Sequence, residues 1–75
     1  MQAYGNLSGN SGVRAYGIRE GAIEVEFVNG QAYLYDDAHT GPARIRKMQR
    51  MARAGRGLST YISREVRGDY AERLH

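Results

Sequence analysis

This chain has no cysteine, no long apolar run, and no carboxylate anywhere between Ala38 and Arg64. The first absence excludes a disulfide framework and a thiolate metal site, so 75 residues have only their packing to hold them. That length makes one domain, near the lower size at which a core forms without help. So thin a margin makes self-association a reasonable expectation, and a homodimer is its commonest closed form. The second absence excludes a bilayer-spanning segment, and the first residues lack the basic-then-apolar pattern of a secretory leader. A cytoplasmic protein without membrane contact is the expectation.

The third absence makes a modest net charge of +3 very uneven. Residues 1–37 sum to −3, residues 38–64 to +7, and residues 65–75 to −1. One segment therefore carries nearly all the positive potential. Such asymmetry speaks about partners rather than about fold.

Residues 1–12 are rich in Gly, Asn and Ser and read as a flexible arm. Val13 to Arg19 is a first strand, ended by Glu20-Gly21. Ile23, Val25 and Phe27 then alternate with Glu24 and Glu26. That pattern marks a strand over Ala22 to Val28 with one buried and one wet face, and it places Phe27 in the core. Asn29-Gly30 turns the chain, and Gln31 to Tyr35 returns beside it. The three strands make an antiparallel meander, because their connections are too short for parallel crossovers.

After Asp36-Asp37 the pattern becomes helical. Thr40 is placed to cap a helix, Pro42 sits in its first turn, and Gly55 supplies a left-handed stop. At 100° per residue Ile45, Met48, Met51 and Ala52 share one face, while Arg46, Arg50 and Arg53 gather on the other with Lys47 beside them. A second short helix is predicted from Ser59 or Thr60, with Leu58, Ile62 and Val66 toward the core and Gly68 at its end. Residues 71–75 read as a tail. The fold class is α+β: a three-stranded antiparallel meander, a basic amphipathic helix and a short C-terminal helix.

Taken in order, these residues resemble a known family. Val13-x-x-Tyr16-Gly17, Ile23-x-Val25-x-Phe27, Asn29-Gly30, Tyr33-x-Tyr35, a helix, Gly55 and Ile62 are similar to the KTSC domain. This small bacterial domain also occurs at the C-terminus of some lysyl-tRNA synthetases. The resemblance covers Ser11 to Tyr70 and implies one domain over residues 13–70. It implies no established activity, although RNA binding has been suggested for the family. Two features depart from the family's pattern: Gly17-Ile18-Arg19 stands where Gly-Tyr-Asp is usual, and the helix is unusually basic. The basic face therefore belongs to this chain, and the resemblance implies nothing about its meaning.

Site chemistry for catalysis is sparse, and a non-enzyme is expected, without metal or cofactor. His39 and His75 have no companion at ligand spacing. Asp36 and Asp37 fit a solvated turn, and Glu24 and Glu26 the wet side of a strand. Gly55-Arg56-Gly57 is no phosphate loop, because no strand precedes it and no Lys-Ser/Thr pair follows. Ser59 is better placed to cap a helix than to act as a nucleophile.

What remains is a binding module. Arg46, Lys47, Arg50, Arg53 and Arg56 form a cationic surface able to track phosphates. A solvated face is the plainer alternative, yet solvated helices usually interleave both signs. The role of Tyr33 and Tyr35 depends on register. A two-residue turn at Asn29-Gly30 sets them opposite Glu26 and Glu24, exposed as a base-stacking platform. A three-residue loop with a bulge at Gly30 sets them opposite Val25 and Ile23, on the core face. The often polar residue between the tyrosines of the resembling family favours the second. Nucleic acid, RNA before DNA, is the leading partner, read by the arginine face with Tyr33 and Tyr35 as candidate stacking residues. The alternatives are a protein-interaction or oligomerising domain, which could be a phage protein acting on a host factor, and a binder of a small anionic nucleotide.

Overall fold

Alternating apolar and acidic residues build the middle of the sheet. In the computed structural model, which describes residues 1–6 and 12–74, Ile23 and Val25 are fully buried while Glu24 and Glu26 stay partly wet. They belong to β3 (Ala22–Phe27), between β2 (Val13–Arg19) and β4 (Ala32–Asp36). β1 (Gln2–Ala3) and β5 (Glu72–Arg73) lie at the edges. All pairings are antiparallel, in the order β1-β2-β3-β4-β5. The helical part is α1 (Pro42–Ala54), then α2 (Leu58–Tyr61), which runs on as a π-helical turn at Ile62–Val66.

The β3–β4 loop decides the tyrosine register. Phe27 N–H donates to the Gln31 carbonyl at 2.8 Å, and Gly30 N–H donates to the Phe27 carbonyl at 3.0 Å. Gly30 takes φ 90°, a left-handed value that favours glycine. The loop is thus Val28-Asn29-Gly30, with Ile23 opposite Tyr35 and Val25 opposite Tyr33. The tyrosines face the core side, and Ala32 and Leu34 share the other face with Glu26 and Glu24. β3 stops at Phe27, one residue before the expected Val28, and β4 runs from Ala32 to Asp36 rather than from Gln31 to Tyr35.

The meander is extended at both ends, which corrects two expectations. Residues 1–6 are not a loose arm: Gln2 and Ala3 pair with Tyr16 and Ala15. Tyr4 is 6% exposed, edge-on to Tyr16 at 6.5 Å, and its hydroxyl accepts the Leu58 N–H at 3.3 Å. One buried aromatic overrides a Gly/Asn-rich composition, because it brings both apolar area and a capping acceptor. Residues 7–11 of that arm, like His75, lie outside the described residues. Nor do residues 71–74 hang free. Glu72 and Arg73 pair with Leu34 and Tyr33, and the Leu74 N–H donates to the Ala32 carbonyl at 2.7 Å.

One face of the sheet carries the helices. Ile45, Met48 and Ala52 of α1 join Leu58, Ile62 and Val66 over Val13, Tyr16, Ile23, Val25 and Tyr35. Phe27, expected at the heart of the core, is only half-buried at its margin, edge-on to Tyr33. The helix ends follow the sequence in part. Pro42 opens α1, and Gly55 closes it with φ 75° and its N–H on the Met51 carbonyl at 2.9 Å. Thr40 does not cap. Gly41 holds that position, and the Thr40 hydroxyl donates instead to the Asp69 carbonyl at 2.7 Å, fastening the C-terminal segment. Likewise α2 begins at Leu58 behind Gly57, so Ser59 lies inside the helix rather than at its cap. No described helix is long and apolar enough to cross a membrane.

Candidate nucleic-acid interface

The orientation of α1 is set from beneath and from one side. Ile45, Met48 and Ala52 key it into the sheet. The Gln49 amide donates to the carbonyls of Arg19 and Ala22 at 3.1 and 3.0 Å, clamping the helix to the β2–β3 turn. With its rotation fixed, Arg46, Arg50 and Arg53 are all exposed. Helix geometry puts them within about 60° of one another over roughly 10 Å of axis. No described carboxylate pairs with any of the three. The ion pairs of the described chain are elsewhere, Arg19 with Glu24 and His39 with Asp36. Gln49 is the positioning residue that sequence reasoning missed, since a glutamine at a helix flank looks like ordinary solvated surface.

The remaining cations divide. Lys47 stands 100° further round from Arg46. Its ammonium lies 5.1 Å from the centroid of the Tyr61 ring, so it belongs to the groove between α1 and α2 rather than to the arginine strip. Arg56 is exposed on the short connection between the left-handed Gly55 and Gly57. Arg53 leans the other way and lines a shallow cleft with Met1, Gln2 and Ile18.

The tyrosines do not join this surface. Tyr35 is 2% exposed, and burial, aided by Tyr33 and Tyr70, pushes its hydroxyl up to about 12. No base can reach that ring, so Tyr35 is withdrawn as a stacking residue. Tyr33 is half-buried, donates to Gln31 Oε1 at 3.3 Å, and lies beneath Tyr70 with ring centroids 4.7 Å apart. Both sit on β4, whereas Arg53 opens toward β1 and β2 at the other side of the sheet. The two halves of the expected site are therefore apart.

Acidic groups gather on the face that carries no helix. Gly17, Glu24, Leu34 and Glu72 form one row across β2 to β5, and Ala3, Ala15, Glu26 and Ala32 form the next across β1 to β4. Small residues keep that face flat; a Cβ at Gly17 would stand 3.1 Å from a Glu24 carboxylate oxygen. Near the start of α1, Asp36 accepts the His39 backbone N–H at 2.9 Å and contacts His39 Nδ1 at 2.8 Å. The His39 ring and backbone bonds hold the Asp36 carboxyl below its ordinary range. The pair organises a turn, as the sequence suggests for these acids.

No family model matches the chain, and no curated protein or solved structure matches it significantly.

Proposed function

We propose that this chain is a non-catalytic module that binds single-stranded nucleic acid, RNA in preference, along the exposed arginine side of α1. One observation carries the reading: Arg46, Arg50 and Arg53 project together from a helix whose rotation is locked, with no described carboxylate to neutralise them. Guanidiniums held this way meet phosphate oxygens in a fork geometry and displace condensed counterions, which makes affinity fall with salt. The KTSC-like order of motifs adds support, because RNA binding has been suggested for that family. Arg56 adds an exposed cation on the connection just past the end of the helix. The test is a titration of labelled oligoadenylate with the parent and an Arg46→Gln/Arg50→Gln/Arg53→Gln variant, since glutamine keeps helix propensity. Loss of binding with unchanged melting supports the reading, and equal binding by the two proteins overturns it.

A second reading, protein or self-association, has its own observation in the flat acidic sheet face. Glu24, Glu26 and Glu72 on that face, with a half-buried Leu34 among them, suit a basic partner. Light scattering at micromolar concentration tests the homodimer, and monomer mass alone would refute it.

A further inference from the structure

We infer that the groove between α1 and the α2–π segment is a nucleotide pocket, taking one unstacked base of a bound single strand with its phosphate between Lys47 and Arg64. The inference rests on the proposed nucleic-acid reading and adds to the phosphate-tracking strip a place where a base is gripped. The groove is open to solvent and offers about 590 Å³, within the range of small-molecule sites. Met51 and the ring of Tyr61, both half-buried against the core, form the apolar part of a wall that Thr60, Lys47, Arg64 and Glu65 otherwise make polar. Gly57, at φ 81°, takes the left-handed turn into α2 and lines the groove beside Met51.

The charges at the rim suit a nucleotide better than a neutral ligand. Lys47 and Arg64 are exposed, and no described carboxylate pairs with either; the Lys47 ammonium rests over the Tyr61 ring, so a base stacking there displaces it toward the phosphate. Glu65 is the acid of the lining, an acceptor that matches the exocyclic amine of a base and not a phosphate. A π-helical turn supplies Arg64 and Glu65 from Ile62–Val66, a local widening found disproportionately at functional sites. Continuity favours a strand over a free nucleotide. Lys47 stands 100° round α1 from Arg46 and only one residue along it, so a strand on the arginine strip has about a quarter turn of helix to cross before its next phosphate meets Lys47.

The experiment uses the full chain with a decamer of oligoadenylate, AMP, and linear polyphosphate of matched charge. Tyr61→Leu should weaken oligoadenylate binding about 5- to 150-fold, the span typical of a lost base stack, and leave polyphosphate binding unchanged. Tyr61→Phe should bind like the parent, which separates a stacking ring from a hydrogen-bonding hydroxyl, and an unchanged melting temperature for Tyr61→Leu separates stacking from a folding contact. AMP should bind far more weakly than the decamer. An AMP affinity equal to that of the decamer would overturn the strand in favour of a free nucleotide. Should Tyr61→Leu unfold, crosslinking of the parent to 8-azidoadenosine-bearing oligoadenylate should mark the peptide holding Met51 or Tyr61. Crosslinks confined to β1 and β2, or equal losses for oligoadenylate and polyphosphate, would overturn the pocket and leave the arginine strip standing. No oligoadenylate binding by the parent would overturn both.

Discussion

The two broad faces of this molecule carry opposite charge and handle it differently. On the open side of the sheet, Glu24 is answered by Arg19 across the β2–β3 turn, and Glu24, Glu26 and Glu72 stand among alanines and glycine. On the helical side, Arg46, Arg50 and Arg53 have no described carboxylate partner. Solubility alone needs only mixed charge, which the sheet face approximates. An unmixed strip on a helix held by Gln49 accepts like-charge repulsion between guanidiniums at i and i+4, as between Arg46 and Arg50, a cost that a bound anion would relieve. The difference is what supports the proposed reading of the positive side as a ligand surface, with the negative side as ordinary surface or a weaker docking face.

The comparison is broken most severely from within. Met48 is fully buried between both layers, so Met48→Ala should cost about 2–5 kcal/mol and unfold much of a marginal domain. Denaturant melts followed by circular dichroism will show it. Charge loss on the helix should behave oppositely. The triple arginine-to-glutamine variant should keep its melting temperature, with each substitution within about 0.5 kcal/mol, while losing most oligoadenylate affinity. Charge loss on the sheet should do neither. The shortest extent of the molecule is 22 Å, more than two Debye lengths of about 8 Å at physiological salt. Glu24→Gln with Glu26→Gln should therefore change RNA affinity less than about twofold and stability by about 0–1 kcal/mol.

Two titrations sharpen the picture further. Tyr35 ionises at about 12 in the folded chain against 10.0 as the ordinary value. A raised pKa adds stability that is complete below pH 10 and is lost as pH climbs toward 12. Ultraviolet titration should therefore show one tyrosine ionising late or only with unfolding, and melting temperature should fall above pH 10. Asp36 runs the other way. Its lowered pKa contributes stability present above its ordinary value of 3.8 and lost as pH falls below it. That effect is the smallest, and Asp36→Asn should flatten the acid limb of the stability profile slightly.

Much of the fold was legible because local signals agreed with one another. The Ile23-x-Val25 alternation, the Asn29-Gly30 turn and the Pro42-to-Gly55 helix each have a mechanism that tertiary packing does not contradict. Asn29-Gly30 leaves the loop's register open, because Gly30 takes a left-handed φ in either form, and it is Asn29 staying out of that region that excludes the two-residue turn. The edge strands were not legible. A two-residue strand has no periodicity to read, and Tyr4 looked solitary until Leu58, 54 positions away, supplied its N–H. Thr40 misled for a related reason: a hydroxyl suited to capping found a carbonyl 29 positions away instead. As for the candidate site, the arginine face was visible from spacing alone. The separation of Lys47 from it was hidden, because it depends on where α2 brings Tyr61.

The most direct test of the arginine strip is the salt dependence of oligoadenylate binding, measured for the parent and the triple-glutamine variant over the same range. Plotted as log affinity against log salt, the parent should be the steeper by about 0.7 for each lost contact, close to two in all for three arginines. Parallel lines, or a parent that binds nothing at low salt, would contradict the account.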